Sequence, residues 1–248
     1  VVANCQLGQN APDDPCLDQW QSGTGVYQTP GFLASVLTRS TPDAPLADLQ
    51  IFAVPTDARG YYPGYAHDSA ISKNRFTWLL LKAHTKNHDG TVRLSGASPF
   101  VRPTITFNSY DEKDPLHDPD LLALVEGVKK ARAIAQEMRA LVPSDPVREV
   151  WPGPEKSSDA DLAAWIYKES WGHHACCTSK MGTVDDATAV VDSELRVIGA
   201  HHLRVVDASI MPTMITANLG AAVIMLAERI SDLIAMNIPL EPDYTAVY

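Results

Sequence analysis

Two histidines stand side by side at positions 173 and 174, in the run WGHHACCTSKMG, whose other members are mostly small or polar. An imidazole has an unperturbed pKa of about 6.5, which suits taking a proton at neutral pH. On a non-repetitive turn with small residues behind it, such a ring can be held rigidly while it faces a cleft. The simpler alternative is two half-buried histidines that pack and hydrogen-bond. Further along, Leu203 to Asp207 (LRVVD) alternates as a short strand ending in an acid, and Ala208, Ser209 and Pro212 follow. An acid and small residues at a strand end let a ligand approach the backbone, as at the carboxyl edge of an open α/β sheet. An Asx turn leading out of the strand is the alternative. The third candidate is Asn218, placed before an apolar run in which Leu219, Val223, Leu226, Ile230 and Leu233 fall on one helical face. Asparagine is a strong helix N-cap. The N–H groups at a helix start also stabilise an anion beside them, and Gly220 and Ala221 permit close approach.

These residues need elements to hold them. Leu49, Ile51 and Ala53 alternate with Gln50, Phe52 and Val54, which predicts a strand. Residues 55–72 read as a long aromatic loop, of a kind that is often functional. Phe76 to Thr85 predicts a strand, the Asp89-Gly90 turn a hairpin, and Thr91 to Leu94 its returning partner. Thr104 to Phe107 adds another strand, so residues 49–110 are expected to form an antiparallel sheet. The clearest helix is 118–141, with Asp118 as N-cap, Pro119 at the first helical position and a Glu126–Lys130 pair on its outer face. Residues 143–157 form a proline-rich connection, and a short helix, Asp159 to Ser170, leads into the histidines. The expected organisation is a lobe over 1–150 and a second segment over 151–248.

The chain of 248 residues is 45% hydrophobic and 20% charged, enough for a sizeable core. Its net charge of −10, without a basic run, argues against nucleic acid and anionic membranes as partners. No apolar run approaches the roughly 20 residues of a membrane span. Val1 to Asn4 (VVAN) reads as mid-strand, as in a processed or truncated product. Cys5 and Cys16 flank a turn-rich loop and are either one local disulfide or two free thiols. Cys176 and Cys177 are adjacent and read as small packing residues, because disulfide geometry wants Cα atoms further apart than neighbours are. No metal-ligand spacing is present.

The run His174-Ala-Cys-Cys-Thr178-Ser-Lys-Met181-Gly182 resembles the C-terminal signature of the glucose–methanol–choline (GMC) flavoenzymes, with Cys177 where the family usually has glycine. Leu203 to Ser209 with Pro212 and Thr213 resembles the family's next strand and loop. Asn218, six residues after Pro212, falls at the family's second catalytic position. Gly23 to Val36, Gly90 to Tyr110 and Gly127 to Arg132 are similar to its substrate lobe. The family's glycine-rich dinucleotide fingerprint has no match; Gly23-Thr-Gly25 is a turn.

The resemblance implies an α+β chain: an antiparallel-sheet substrate lobe with packed helices, plus a C-terminal strand–loop–helix segment that completes an α/β FAD-binding domain. It implies FAD as cofactor and oxidation of a small-molecule alcohol by hydride transfer to the flavin. His174 would be the base and Asn218 the group that orients the alkoxide. Asp207 and Ala208 would contact the ribityl or pyrophosphate region, and Asn218, Leu219, Gly220 and Ala221 the pyrimidine ring. Oxygen or another acceptor would reoxidise the flavin. The nucleotide-binding half would come from a second chain or segment, without which the chain should not turn over. A cyanohydrin-cleaving lyase on the same scaffold, an incomplete non-catalytic product and an unrelated α+β binding domain are the alternatives.

Overall fold

The computed structural model describes residues 5, 13–28, 31–72, 74–111, 113–141, 147–215 and 218–238. Residues 1–4, read as mid-strand, lie outside them. The architecture is α+β with antiparallel sheets. The chain divides into two compact units, Val1–Asn87 with Tyr110–Trp171 and His88–Ser109 with Gly172–Tyr248.

In the first unit, α1 (Pro15–Gln21) starts from Asp14, whose carboxylate accepts the Cys16 N–H at 3.0 Å. Cys16 is bonded to Cys5, so the disulfide alternative is the correct one. Three strands follow in antiparallel order: β1 (Ala34–Thr38), β2 (Leu49–Val54) and β3 (Thr77–Lys82). β2 is central, and Leu49, Ile51, Phe52 and Ala53 are all buried, so it is covered on both faces rather than alternating. Between β2 and β3, the stretch expected to be loop contains a helix, α2 (Tyr65–Ile71). Helix α3 (Pro119–Leu141) lies on the sheet. Asp118 caps it, accepting the N–H groups of Asp120 at 2.8 Å and Leu121 at 3.1 Å. A Cβ on Gly127 would come within 2.6 Å of Leu80 Cδ2, so glycine permits this approach of helix to strand. Leu121, Val125 and Val128 of α3 join Leu162, Ala163 and Ile166 of α4 (Asp159–Glu169) and Tyr110 in one core. The outer-face pair differs from expectation: Lys129, not Lys130, reaches Glu126, and it also meets Asp159 at 3.1 Å.

The predicted hairpin through Asp89-Gly90 does not pair with β3. On leaving β3 the chain is captured by Asp120, whose Oδ2 accepts the Lys86 N–H at 2.6 Å and the Asn87 N–H at 3.2 Å. β4 (Thr91–Arg93) belongs to the second unit and pairs antiparallel with β5 (Thr104–Thr106). Residues 49–110 therefore build parts of two sheets, not one.

Among the described residues, the rest of the second unit has little regular structure before helix α5 (Gly220–Ala235). Its core, Val191, Leu195, Ile210 and Ile230, is assembled by isolated bridges: Met181 with Val191, Val191 with Val197, Arg196 with Arg204. The strand expected over Leu203–Asp207 is a correction: only Arg204 makes a bridge, and the backbone turns at Asp207 into a 3-10 turn, Ala208–Ile210. The strand cannot continue because the Asp207 side chain accepts the Ser209 N–H at 2.8 Å and closes an Asx turn. Helix α5 (Gly220–Ala235) docks through Ile230, with Leu226 beside it. No helix among the described residues is long and apolar enough to cross a membrane.

Candidate active site

The histidine segment is an extended, non-repetitive stretch, as its sequence predicts. His173 is exposed and His174 half-buried, with ring centroids 5.3 Å apart and tilted by 56°. Burial, followed by the charge of neighbouring His173, lowers the pKa of His174 below the usual imidazole value. This shift favours the neutral ring, the state in which an imidazole accepts a proton.

What holds this segment is backbone pairing to the Asp207 turn. The N–H groups of Cys177, Ser179 and Met181 donate to the carbonyls of Ala208, Ser209 and Ile210 at 3.2, 2.9 and 2.8 Å. Two of the three stretches that the sequence singles out are thus joined side by side. Alternate amides of one stretch meet successive carbonyls of the other, which the tight 3-10 turn at 208–210 makes possible. Met181 then packs into the unit's core.

Gly182 and Lys180 have structural roles that the sequence reading did not assign. Gly182 has no room for a side chain: a Cβ there would lie 2.9 Å from Ala189 Cβ and 3.0 Å from Asp186 Oδ2. Lys180 donates to Asp186 at 2.7 Å and to Thr188 at 2.9 Å. The hydrogen bond from Lys180, then those from Thr188, holds the Asp186 carboxyl well below the ordinary carboxylate range. The visible signal for this turn was the DDAT run after Met181-Gly182.

Cys176 and Cys177 depart from the packing role expected of them. Their sulfurs are 2.6 Å apart, and Cys177 takes a positive φ of 75°. This is the position that the family resemblance fills with glycine, the residue best suited to such a φ.

Asn218 is exposed and lies one residue ahead of the α5 cap. The cap is Leu219, whose backbone is already helical at φ −71° and ψ −21° and whose carbonyl accepts the Val223 N–H at 2.9 Å. Leu219 is buried, so packing sets where the helix begins, and the expected capping role of Asn218 is corrected. Among the described residues, no side chain caps α5. Gly220 and Ala221 are exposed, and a Cβ on Gly220 would meet open space. Among the described residues, no hydrogen bond joins His174 to Asn218. Asp207 is exposed, with its carboxylate engaged in the Asx turn. In the first unit, Tyr61 stacks edge-on against Trp171 and Tyr65, both at 5.1 Å, and Trp78 packs edge-on against Phe76 at 5.8 Å.

A family model described as GMC oxidoreductase matches residues 86–227, more than half of the chain. An oxygen-dependent choline dehydrogenase of Staphylococcus epidermidis (strain ATCC 12228 / FDA PCI 1200) is 37% identical over 164 residues, covering 65% of this chain and 27% of that protein. One of Staphylococcus aureus (strain JH9) is 36% identical over 164 residues, covering 65% of this chain and 28% of that protein. The chain thus spans little more than a quarter of these relatives' length. Among solved structures, pyridoxine 4-oxidase from Mesorbium loti superposes with a TM-score of 0.60 at 24% identity, covering 83% of this chain and 38% of that one. A formate oxidase from Aspergillus oryzae RIB40 superposes at 0.62 and 19% identity, covering 80% and 33%. At those identities the likeness is one of fold. The matched residues include the histidine segment, the Asp207 turn and the start of α5, and the chain belongs to the GMC oxidoreductase family.

Proposed function

We propose that this chain forms the substrate-facing and catalytic part of an FAD-dependent enzyme that oxidises an alcohol. The observation that carries the reading is the backbone pairing of Cys177, Ser179 and Met181 with Ala208, Ser209 and Ile210, which fixes the segment bearing a neutral, half-buried His174. In this reading His174 accepts the substrate's hydroxyl proton at a ring nitrogen. Asn218 hydrogen-bonds the same oxygen through its side-chain amide and orients it. Donors aimed at a developing oxyanion typically contribute about 2.7–4 kcal/mol each.

The residues present fit a flavin. Among the described residues no side chain caps the α5 start, whose first N–H groups would face an anionic ring edge, and Gly220 leaves open space beside them. Leu219, Gly220 and Ala221 would hold the pyrimidine side of FAD. Asp207 and Ala208 would lie near its ribityl or pyrophosphate region. When bound, FAD supplies the hydride acceptor. Residues 1–150 provide the substrate lobe, with the Tyr61–Tyr62 stretch as a lining candidate, and residues 151–248 the C-terminal part of the FAD lobe. The glycine fingerprint and the adenine contacts come from residues outside these 248. A small alcohol is the substrate, choline and pyridoxine being the first to try, and oxygen or another acceptor takes the electrons.

The test is anaerobic flavin reduction in the FAD-loaded full-length enzyme. An alcohol that bleaches the wild-type flavin should do so about 10²–10⁴-fold more slowly in His174→Ala. An unchanged rate removes His174 as the base. A wild-type flavin that no alcohol bleaches removes the redox reading altogether.

A further inference from the structure

Neighbouring side chains on an extended backbone point to opposite faces. Cys176 and Cys177 do not, because Cys177 sits in the left-handed region at φ 75°. That turn of the backbone brings both sulfurs to one side, at 2.6 Å. Adjacent Cα atoms, about 3.8 Å apart, are closer than a disulfide usually takes, and this left-handed turn is what offsets the usual bar by bringing the sulfurs within bonding reach. A Cβ is retained at a φ where glycine is the undemanding choice, and its sulfur is spent on this one neighbour. Both thiols are half-buried, so a small oxidant can reach them. The Cys177 N–H is anchored to the Ala208 carbonyl at 3.2 Å, which fixes the pair in the segment that also carries His174.

We propose that Cys176 and Cys177 are a redox-active vicinal dithiol, a modification site that a peroxide closes to a disulfide and a thiol reductant reopens. The Cys176 thiolate attacks a peroxide oxygen. The O–O bond breaks, a sulfenic acid forms on Cys176, and the leaving hydroxide takes a proton to become water. Cys177 sulfur then attacks the Cys176 sulfur; the S–S bond forms, the S–O bond breaks, and the Cys177 proton leaves with the second water. Two electrons pass from the sulfurs to the peroxide. The order follows from the surroundings: burial, then the hydrogen bond with Cys176, pushes the Cys177 thiol up to about 12, so Cys177 keeps its proton until the second step.

The experiment treats the full chain with hydrogen peroxide, alkylates the remaining thiols under denaturing conditions and maps the peptides by mass. The peptide carrying Cys176 and Cys177 should be two hydrogens lighter and unalkylated, and dithiothreitol should restore both alkylations. Cys177→Ser should stop at a sulfenic acid on Cys176 that dimedone traps. Phenylarsine oxide should shield both thiols of the untreated chain from alkylation. A wild-type peptide that still takes two alkyl groups after peroxide overturns the proposal. So does one that accumulates sulfinic acid on either cysteine without passing through the disulfide. The mass readout is independent of flavin and substrate, so it stands or falls apart from the proposed activity.

Discussion

At the residue scale, His174 is distinguished from His173 by burial. The lowered pKa follows from losing water around the cationic ring, with the neighbouring His173 charge adding to it. In a side-chain NMR titration, His174 should have its midpoint below the unperturbed value of about 6.5. The linkage sign follows. Between the folded pKa and about 6.5, the unfolded chain binds a proton that the folded chain does not, so this residue makes stability rise with pH through that window. Its unfavourable contribution is fully present below the folded pKa and gone above about 6.5. A His174→Gln variant should therefore lose part of its parent's gain in stability between acidic and neutral pH, measured by urea melts. A midpoint at or above the unperturbed value would contradict the burial argument. His174 could be proposed from residue type and from the Met181-Gly182 register. Its state was not, because two adjacent histidines look alike until burial separates them.

At the element scale, side-chain-to-backbone bonds decide where structure starts and stops. Asp118 is buried and accepts three N–H groups: two from the first turn of α3 and that of Asp111 at 2.9 Å. Asp118→Ala should lower unfolding stability by about 2 kcal/mol in denaturant melts, the upper range for a lost cap, since the N–H groups are left in a buried place. Asn at the same position should recover much of it. The turn after His174 depends on shape. Gly182→Val forces a side chain into Ala189 and Asp186, and should cost about 1–3 kcal/mol. If Gly182→Val melts with the wild type, the close approach at this turn is not a constraint. The helices α3 and α4 could be read from capping residues and apolar period. α2 could not, because its seven residues sit in an aromatic, turn-rich context and no side chain caps it. The strand over 203–207 failed for a related reason: alternation records which side chains face inward, not whether a neighbouring strand is present to pair.

At the scale of the whole molecule, α5 leaves apolar surface unmet. Of its 16 residues only Ile230 is buried, while Ile224, Met225 and Ile234 are more than half exposed. Burying such side chains yields about 25 cal/mol per Å² of apolar area. In the proposed full enzyme, the nucleotide-binding half covers this helix. The isolated 248-residue chain should then retain no FAD after gel filtration, and co-expression with the remaining half of the enzyme should restore flavin absorbance. Tight flavin binding by the isolated chain would place the cofactor site wholly within these residues, against the proposal. The Cys5–Cys16 link belongs to this scale too. It closes a loop at a sequence separation of 11, worth about 3 kcal/mol through the unfolded chain. Reduction should lower the melting temperature of the first unit's transition.

The amino-acid order by itself determined the family, through the spacing of His174, Met181-Gly182, Asp207, Pro212 and Asn218, and it determined the long helix with its cap. Those features are local: each rests on residue types within a few positions of one another, which chain chemistry expresses before any long-range contact. Tertiary structure alone decided the rest. It paired β4 with β5 instead of β3, because Asp120 draws the chain away at Lys86 and Asn87. It moved the start of α5 onto Leu219, because a buried leucine outweighs a capping asparagine left in solvent. It also turned two neighbouring cysteines toward each other, because a left-handed residue places both side chains on one face. Each of these outcomes depends on partners or backbone angles that residue order does not contain.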